Sequence, residues 1–343
     1  MKKIRKIAVI KGVHIGDAIL SVPLLRNLKK NFPNARIDII TEECPIDIGE
    51  KLLRNSSYVS DVISVPENIL KAIPVILKLR MKHYDLVIDG FPSTKNTALL
   101  SFLIGSGKNI GYVSKTLKNK YIFLYKKSIF SDGRYVVGID SDILKLLGIT
   151  IDKKDMVLEI PGNLTEYEKM TKEIVGTHGF VVGVHIGKDL LGRRWLYESW
   201  ADVLNYVQEK YHAKIIIIGG DQDIENTEKV IALMEKKPLN LVNKISLNET
   251  WALMKKFDLF LCVNGGPVHM ASVLKKPTIC ITICTWFEWD PYNENAVVIR
   301  SEKCKEPGKA PNCGRVSKNC EEDIDTRTVK KEIDNLYRKY VKK

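Results

Sequence analysis

Short β-branched runs alternate along the chain with amphipathic stretches of helical length, the pattern of a parallel α/β architecture. In the first half the pattern predicts strands at Ile7–Ile10, Arg36–Ile40, Val62–Val65 and Asp85–Asp89. Between them it predicts helices at Asp17–Asn31, Ile69–Met81 and Thr94–Ile104. Pro33 and Asn34 stop the first helix, and Pro74 is expected to kink or split the second. The pattern restarts after Pro161-Gly162 with a helix at Thr165–Val175, whose Thr165 and Glu168 suggest a capping box. Strands follow at Phe180–His185, Lys214–Ile218, Asp258–Val263 and Thr278–Ile281. The helices among them are Tyr197–Tyr211, Glu225–Lys236, Asn248–Lys256 and Val268–Leu274. Val329, Ile333, Leu336 and Tyr340 recur at helical spacing and predict a closing helix with one apolar face. The expected organisation is two sheet domains, 1–165 and 166–325, facing across a cleft, with a terminal helix over 326–343.

Sheets of this kind bind ligands beyond the carboxyl ends of their strands, so the residues following each strand carry the chemistry. After the first strand comes Lys11-Gly12-Val13-His14-Ile15-Gly16-Asp17, where two glycines permit a tight turn into a helix start. Asp17 reads either as a helix cap or as a carboxylate base, with Lys11, Gly12, His14 and Gly16 lining its loop. No G-x-G-x-x-G fingerprint or Gly-Lys-Ser/Thr loop is present there. After Phe180–His185 a glycine-flanked loop carries Arg193 and Arg194, either a solvated pair or bidentate diphosphate ligands. After Lys214–Ile218 come Asp221, Asp223 and Glu225, each a ribose-hydroxyl acceptor or a cap of the next helix. Asn264-Gly265-Gly266-Pro267-Val268-His269 ends a buried strand in a Gly-Gly turn, with Pro267 at the expected helix start and His269 in its first turn.

Composition narrows the classes. The chain has 343 residues, 45% hydrophobic and 28% charged, enough for two cores and without an apolar run long enough to cross a bilayer. Neither a signal peptide nor a nucleic-acid-binding motif is evident, so the expected location is cytoplasmic and nucleic acid is not an expected partner. Residues 1–160 hold 26 Lys and Arg against 16 Asp and Glu, a net +10 of the total +13. That excess suits an anionic partner, such as a phosphorylated glycolipid or the inner-membrane surface, or else reflects a lysine-rich proteome. Seven cysteines, an odd number, read as thiols rather than a disulfide framework.

Taken together, three stretches resemble glycosyltransferase family 9, the heptosyltransferase type that builds the lipopolysaccharide core. They are Ile15-Gly16-Asp17-Ala18-Ile19-Leu20-Ser21-Val22-Pro23-Leu24-Leu25, Arg193-Arg194-Trp195, and Asn264-Gly265-Gly266-Pro267-Val268-His269-Met270-Ala271. The resemblance implies a GT-B fold of two Rossmann-like domains. The first would bind the acceptor, and the second a nucleotide-sugar donor, expected to be an ADP-linked heptose. By position it assigns Asp17 as the catalytic base. It assigns Arg193 to the phosphate, Gly266 and His269 to the donor diphosphate loop, and Asp223 to the ribose. Asn264 replaces the family's usual Asp, and Gly265 replaces a hydroxyl residue, which bears on donor choice or activity.

The implied reaction is an inverting transfer to a lipopolysaccharide-core or other glycan acceptor, with no cofactor needed for catalysis. Arg193, Arg194, the helix start at Pro267–Val268 and His269 would do the work a metal does elsewhere. The alternatives are a protein O-heptosyltransferase on Ser or Thr, a nucleotide-sugar epimerase or hydrolase, and a degenerate nucleotide-sugar-binding protein. Cys284, Cys304, Cys313 and Cys320 are a candidate structural zinc or iron site, since some relatives that glycosylate proteins carry such a metal. Their spacing lacks the short Cys-x₂-Cys hook of common zinc sites.

Overall fold

The computed structural model describes residues 4–12, 14–43, 48–90, 94–105, 107–113, 121–130, 135–151, 164–177, 179–187, 194–283, 287–302 and 322–342. The chain divides into two compact units, Met1–Pro161 and Gly162–Lys343.

The first unit is a six-stranded sheet of β1 (Lys6–Ile10), β2 (Arg36–Glu42), β3 (Asp61–Val65), β4 (Leu86–Asp89), β5 (Asn109–Val113) and β6 (Lys127–Phe130). Its helices are α1 (Ile15–Asn31), α2 (Ile48–Arg54), α3 (Ile69–Met81), α4 (Lys95–Ile104) and α5 (Val136–Leu146). The strand order is β3-β2-β1-β4-β5-β6 and every pairing is parallel. Ile7, Ala8, Val9 and Ile10 are all buried, as a central parallel strand covered on both faces requires. One core packs Leu24, Leu25 and Leu28 of α1 and Ile143 and Leu144 of α5 against Ile7, Val9 and Ile37. On the opposite face Ala72 and Leu79 of α3 and Leu100 and Ile104 of α4 cover Ala8, Ile10 and Val87.

The second unit repeats the plan with β7 (Val181–His185), β8 (Lys214–Ile217), β9 (Leu239–Asn240), β10 (Leu259–Val263), β11 (Thr278–Thr282) and β12 (Ala296–Arg300). Its helices are α6 (Glu168–Val175), α7 (Tyr197–Tyr211), α8 (Ile224–Leu233), α9 (Leu247–Met254), α10 (Gly266–Val273) and α11 (Thr326–Tyr340). The order β12-β11-β10-β7-β8-β9 is the first unit's order read from the other edge. Val329, Ile333 and Leu336 of α11 enter this core beside Trp200, Val203 and Leu204 of α7. Tyr206, Tyr211 and Lys210 of α7 all hydrogen-bond the Asp334 carboxylate of α11, at 2.5–2.8 Å. Cys262 and Cys280 are buried free thiols, paired in register across β10 and β11.

Pro74 does not split α3, because the carbonyl freed at Leu70 belongs to an exposed residue and costs little. No side chain caps the helix at Thr165: a 3₁₀ turn, Thr165–Tyr167, precedes α6, which puts Glu168 at the first helical position rather than the third.

Candidate functional site

In each sheet the strand order reverses between the first and fourth strands, and there two loops diverge to leave a crevice. In the first unit that point lies between β1 and β4, in the second between β7 and β10.

At the first crevice β1 runs into Lys11 and Gly12, and α1 begins at Ile15 with His14 as its cap residue. The His14 side chain does not cap the helix, whereas its backbone N–H donates to the Asp17 carboxylate. Asp17 is buried, and burial pushes its pKa above the usual carboxylate value, against the pull of the nearby His14 and Lys11 charges. A Cβ at Gly12 would lie 2.6 Å from Asp17 Oδ2, so a side chain there would displace the carboxylate. The Lys11 ammonium ion-pairs with Asp140 of α5, both side chains being almost wholly buried. Burial pushes the Asp140 carboxyl up even with Lys11 beside it. On the neighbouring strand Tyr125 donates to Asp89 at the end of β4. Gly16 sits partly buried in the first turn of α1.

At the second crevice β7 ends in His185. Its Nε2 lies 3.4 Å from Asp223 Oδ2, while its Nδ1 has no hydrogen-bond partner among the described residues. Asp223 also accepts the Gly220 N–H at 2.8 Å, so it fixes the turn after β8 and orients His185. Gly187 has φ +80°, and a Cβ there would strike Val263 Cγ2 at 2.3 Å. Its carbonyl accepts from Asn226 Nδ2 at 2.9 Å, and Asn226 Oδ1 accepts from Tyr197 at 2.7 Å. The Arg194 guanidinium lies 4.4 Å over the Tyr197 ring. Arg194, Tyr197, Asn226 and Gly187 thus brace the two ends of the loop, whose middle includes Arg193 and lies outside the described residues. Trp195 is wholly buried and donates to the Ile324 carbonyl at 3.1 Å.

On the other side of this crevice β10 ends at Val263. Asn264 Nδ2 donates to the Trp289 carbonyl at 3.2 Å. Gly265 is the cap residue of α10 and offers no side chain to its first turn, where Pro267 has no N–H and the Val268 N–H donates to the Gly265 carbonyl at 3.2 Å. A Cβ at Gly265 would meet the His185 ring at an ordinary 3.7 Å, so packing does not enforce this glycine. The helix begins at Gly266, one residue before Pro267. His269 is 3% exposed, and burial lowers its pKa to about 4. It is therefore neutral at neutral pH, which removes the charge expected of it and leaves it a hydrogen-bonding group.

Among the described residues, no group of three or more His, Cys, Asp or Glu is placed to hold a metal ion. Cys284, Cys304, Cys313 and Cys320 lie outside those residues. No described helix is long and apolar enough to cross a membrane. Sequence reasoning missed His185, Tyr197, Asn226 and the Lys11–Asp140 pair. Only His185 carried a signal, its place at the end of a core strand.

A family model described as glycosyltransferase family 9 (heptosyltransferase) matches residues 74–315. The chain belongs to glycosyltransferase family 9. Lipopolysaccharide heptosyltransferase 3 of Escherichia coli is 25% identical over 294 residues, which span 82% of this chain and 84% of that protein. The crystal structure of a family 9 glycosyltransferase from Veillonella parvula superposes with a TM-score of 0.73 at 21% identity, covering 99% of each chain. E. coli ADP-heptose lipopolysaccharide heptosyltransferase II gives 0.69 at 18% identity, over 97% of this chain and 99% of that one. The two six-stranded units are those of the GT-B fold, and the chain is a glycosyltransferase.

Proposed function

We propose that this glycosyltransferase moves a heptose from an ADP-linked donor to a lipopolysaccharide-core acceptor by a single displacement with inversion, and that Asp17 is the base. The observation that carries the reading is the setting of Asp17. A buried carboxylate at the start of α1, beside the crevice of the first sheet, has its pKa raised toward the range of an efficient base. The acceptor oxygen attacks the anomeric carbon, and its proton passes to the Asp17 carboxylate. The bond from that carbon to the diphosphate oxygen breaks, and the nucleoside diphosphate leaves with its electron pair. Arg194, Arg193 and the positive end of the α10 dipole are assigned to that developing charge. His185 and Asn264 border the same crevice and are assigned to the donor. Asp223, engaged with Gly220 and His185, is assigned to holding them rather than to the ribose.

The acceptor-binding half is assigned to the first unit, whose net +10 suits an anionic glycolipid presented at a membrane surface. The test is incubation with ADP-heptose, other nucleotide sugars and a heptose-deficient core oligosaccharide, read by mass spectrometry and anomeric NMR. Transfer of one heptose with inversion is expected. Consumption of donor without an acceptor, or binding without turnover, would overturn the reading.

A further inference from the structure

α3 places its apolar residues on both sides. Ala72 and Leu79 point into the core, while Ile69, Leu70, Ile73, Leu77 and Met81 are exposed, Leu70 by 76%. At 3.6 residues per turn the five exposed side chains span an arc of roughly 120°, too wide for chance exposure at a helix edge. Arg80 donates to the Leu103 carbonyl at 2.7 Å and ties α3 to α4, which exposes Leu99 and Phe102. The 3₁₀ turn Ile122–Leu124 packs on Ala98 of α4 and leaves Phe123 76% exposed. Among the described residues, eight of the fourteen exposed large apolar side chains therefore fall on these three neighbouring elements, which makes them a surface rather than a scatter.

Within these elements its charge is of one sign, with the exposed Glu67 just ahead of α3 an anion at its edge. From Asn68 to Tyr84, and again from Thr94 to Lys108, the sequence holds no Asp or Glu. Lys71, Lys78 and Lys95 are exposed on the same elements, and Lys108 is exposed in the loop after α4. α3, at 13 residues, is too short to cross a bilayer, so such a helix lies in the plane of an interface. Apolar side chains rimmed by cations, with no anion among them, match an acyl layer beneath anionic headgroups.

We propose that the α3–α4 face seats the first unit on an anionic lipid bilayer. For its purpose the proposal rests on the reading above, in which the first unit takes an acceptor carried in a bilayer. The test is flotation of the full chain with vesicles of phosphatidylcholine alone, or with about a third phosphatidylglycerol. Two double variants accompany it, Leu70→Glu with Leu77→Glu and Lys71→Glu with Lys78→Glu, all at exposed positions. Binding of the parent to the anionic vesicles is expected, falling steeply between about 0.1 M and 0.5 M salt. Each double variant should bind roughly tenfold or more weakly, with an unchanged melting temperature. A parent that ignores anionic vesicles, or variants that bind as the parent does, would overturn the proposal. So would a parent that sediments as a dimer and a Leu70→Glu, Leu77→Glu variant that sediments as a monomer, since the face would then be covered by a second copy. Transfer to a water-soluble core oligosaccharide separates the two readings. It should match the parent in both variants, and its absence in a parent that binds vesicles would strike the transferase assignment alone.

Discussion

The two units share one strand order and differ in what they put at its turning point. In the first, the loop after β1 surrounds a buried carboxylate with one partner lysine, itself neutralised from below by Asp140. In the second, the loops after β7 and β10 offer glycines, an uncapped helix start, a stacked arginine and imidazoles, one of which burial keeps neutral. The first arrangement suits taking a proton, and the second suits holding a leaving anion. The topology decides where chemistry can sit, and the half-dozen residues past each strand decide which chemistry it is.

The sharpest way to break this contrast is Asp17→Asn. It should lower kcat by about a hundredfold to ten-thousandfold while ADP affinity, measured by calorimetry, stays near the parent's. In the parent the acid limb of kcat/KM should lie above the ordinary carboxylate value of 3.8, because burial raises Asp17 and activity needs its deprotonated form.

Next in size is the ion pair beneath that base. Asp140→Asn strands a buried ammonium and should cost about 3–5 kcal/mol in urea unfolding. Adding Lys11→Met removes the stranded charge and should recover most of the loss. The double variant should also move the acid limb further up, since one of the positive neighbours that lower Asp17 is gone.

In the second unit the neutral His269 sets a pH dependence of stability. Its folded pKa, about 4, lies below the ordinary imidazole value of 6.5, so the unfolded chain binds the extra proton as pH falls through that window. Stability should be full above about pH 6.5 and decline by about 3 kcal/mol toward pH 4, a loss that His269→Gln abolishes in denaturant titrations across pH.

The smallest effect expected is that of Arg194→Ala, a fall in ADP affinity worth about 1.5–3 kcal/mol, read by calorimetry. Unchanged affinity would mean that Arg194 serves only to brace Tyr197.

What could be read from the chain alone was local. Gly12, Gly16 and Asp17 announce a tight turn into a helix within seven residues, and Asn264 to His269 do the same after β10. The partners that give those motifs their chemistry are remote. Lys11 meets Asp140 across 129 positions and Asn226 meets Gly187 across 39, and no spacing rule connects them. Elements with weak punctuation escaped as well. α5 follows Tyr135, which gives it no side-chain cap, and carries Gly138, so its helical signal is diluted although Ile143 and Leu144 are core residues. β6, with the sequence Lys-Ser-Ile-Phe, lacks the apolar run of a central strand, whereas β12 carries a run of four apolar residues although it is only half-buried at the sheet edge.

α11 imposes an order of events during synthesis. The first unit has its whole core once its own residues have left the ribosome, and it can fold while the rest is made. The second unit must wait. Trp195 reaches its carbonyl partner only when Ile324 arrives, 129 residues later, which at roughly 5–20 residues per second is on the order of ten seconds. Val329, Ile333 and Leu336 come later still. Through that interval the apolar faces of α7 and of the sheet beneath it stand uncovered on the nascent chain, a target for holdase chaperones that the first unit does not present.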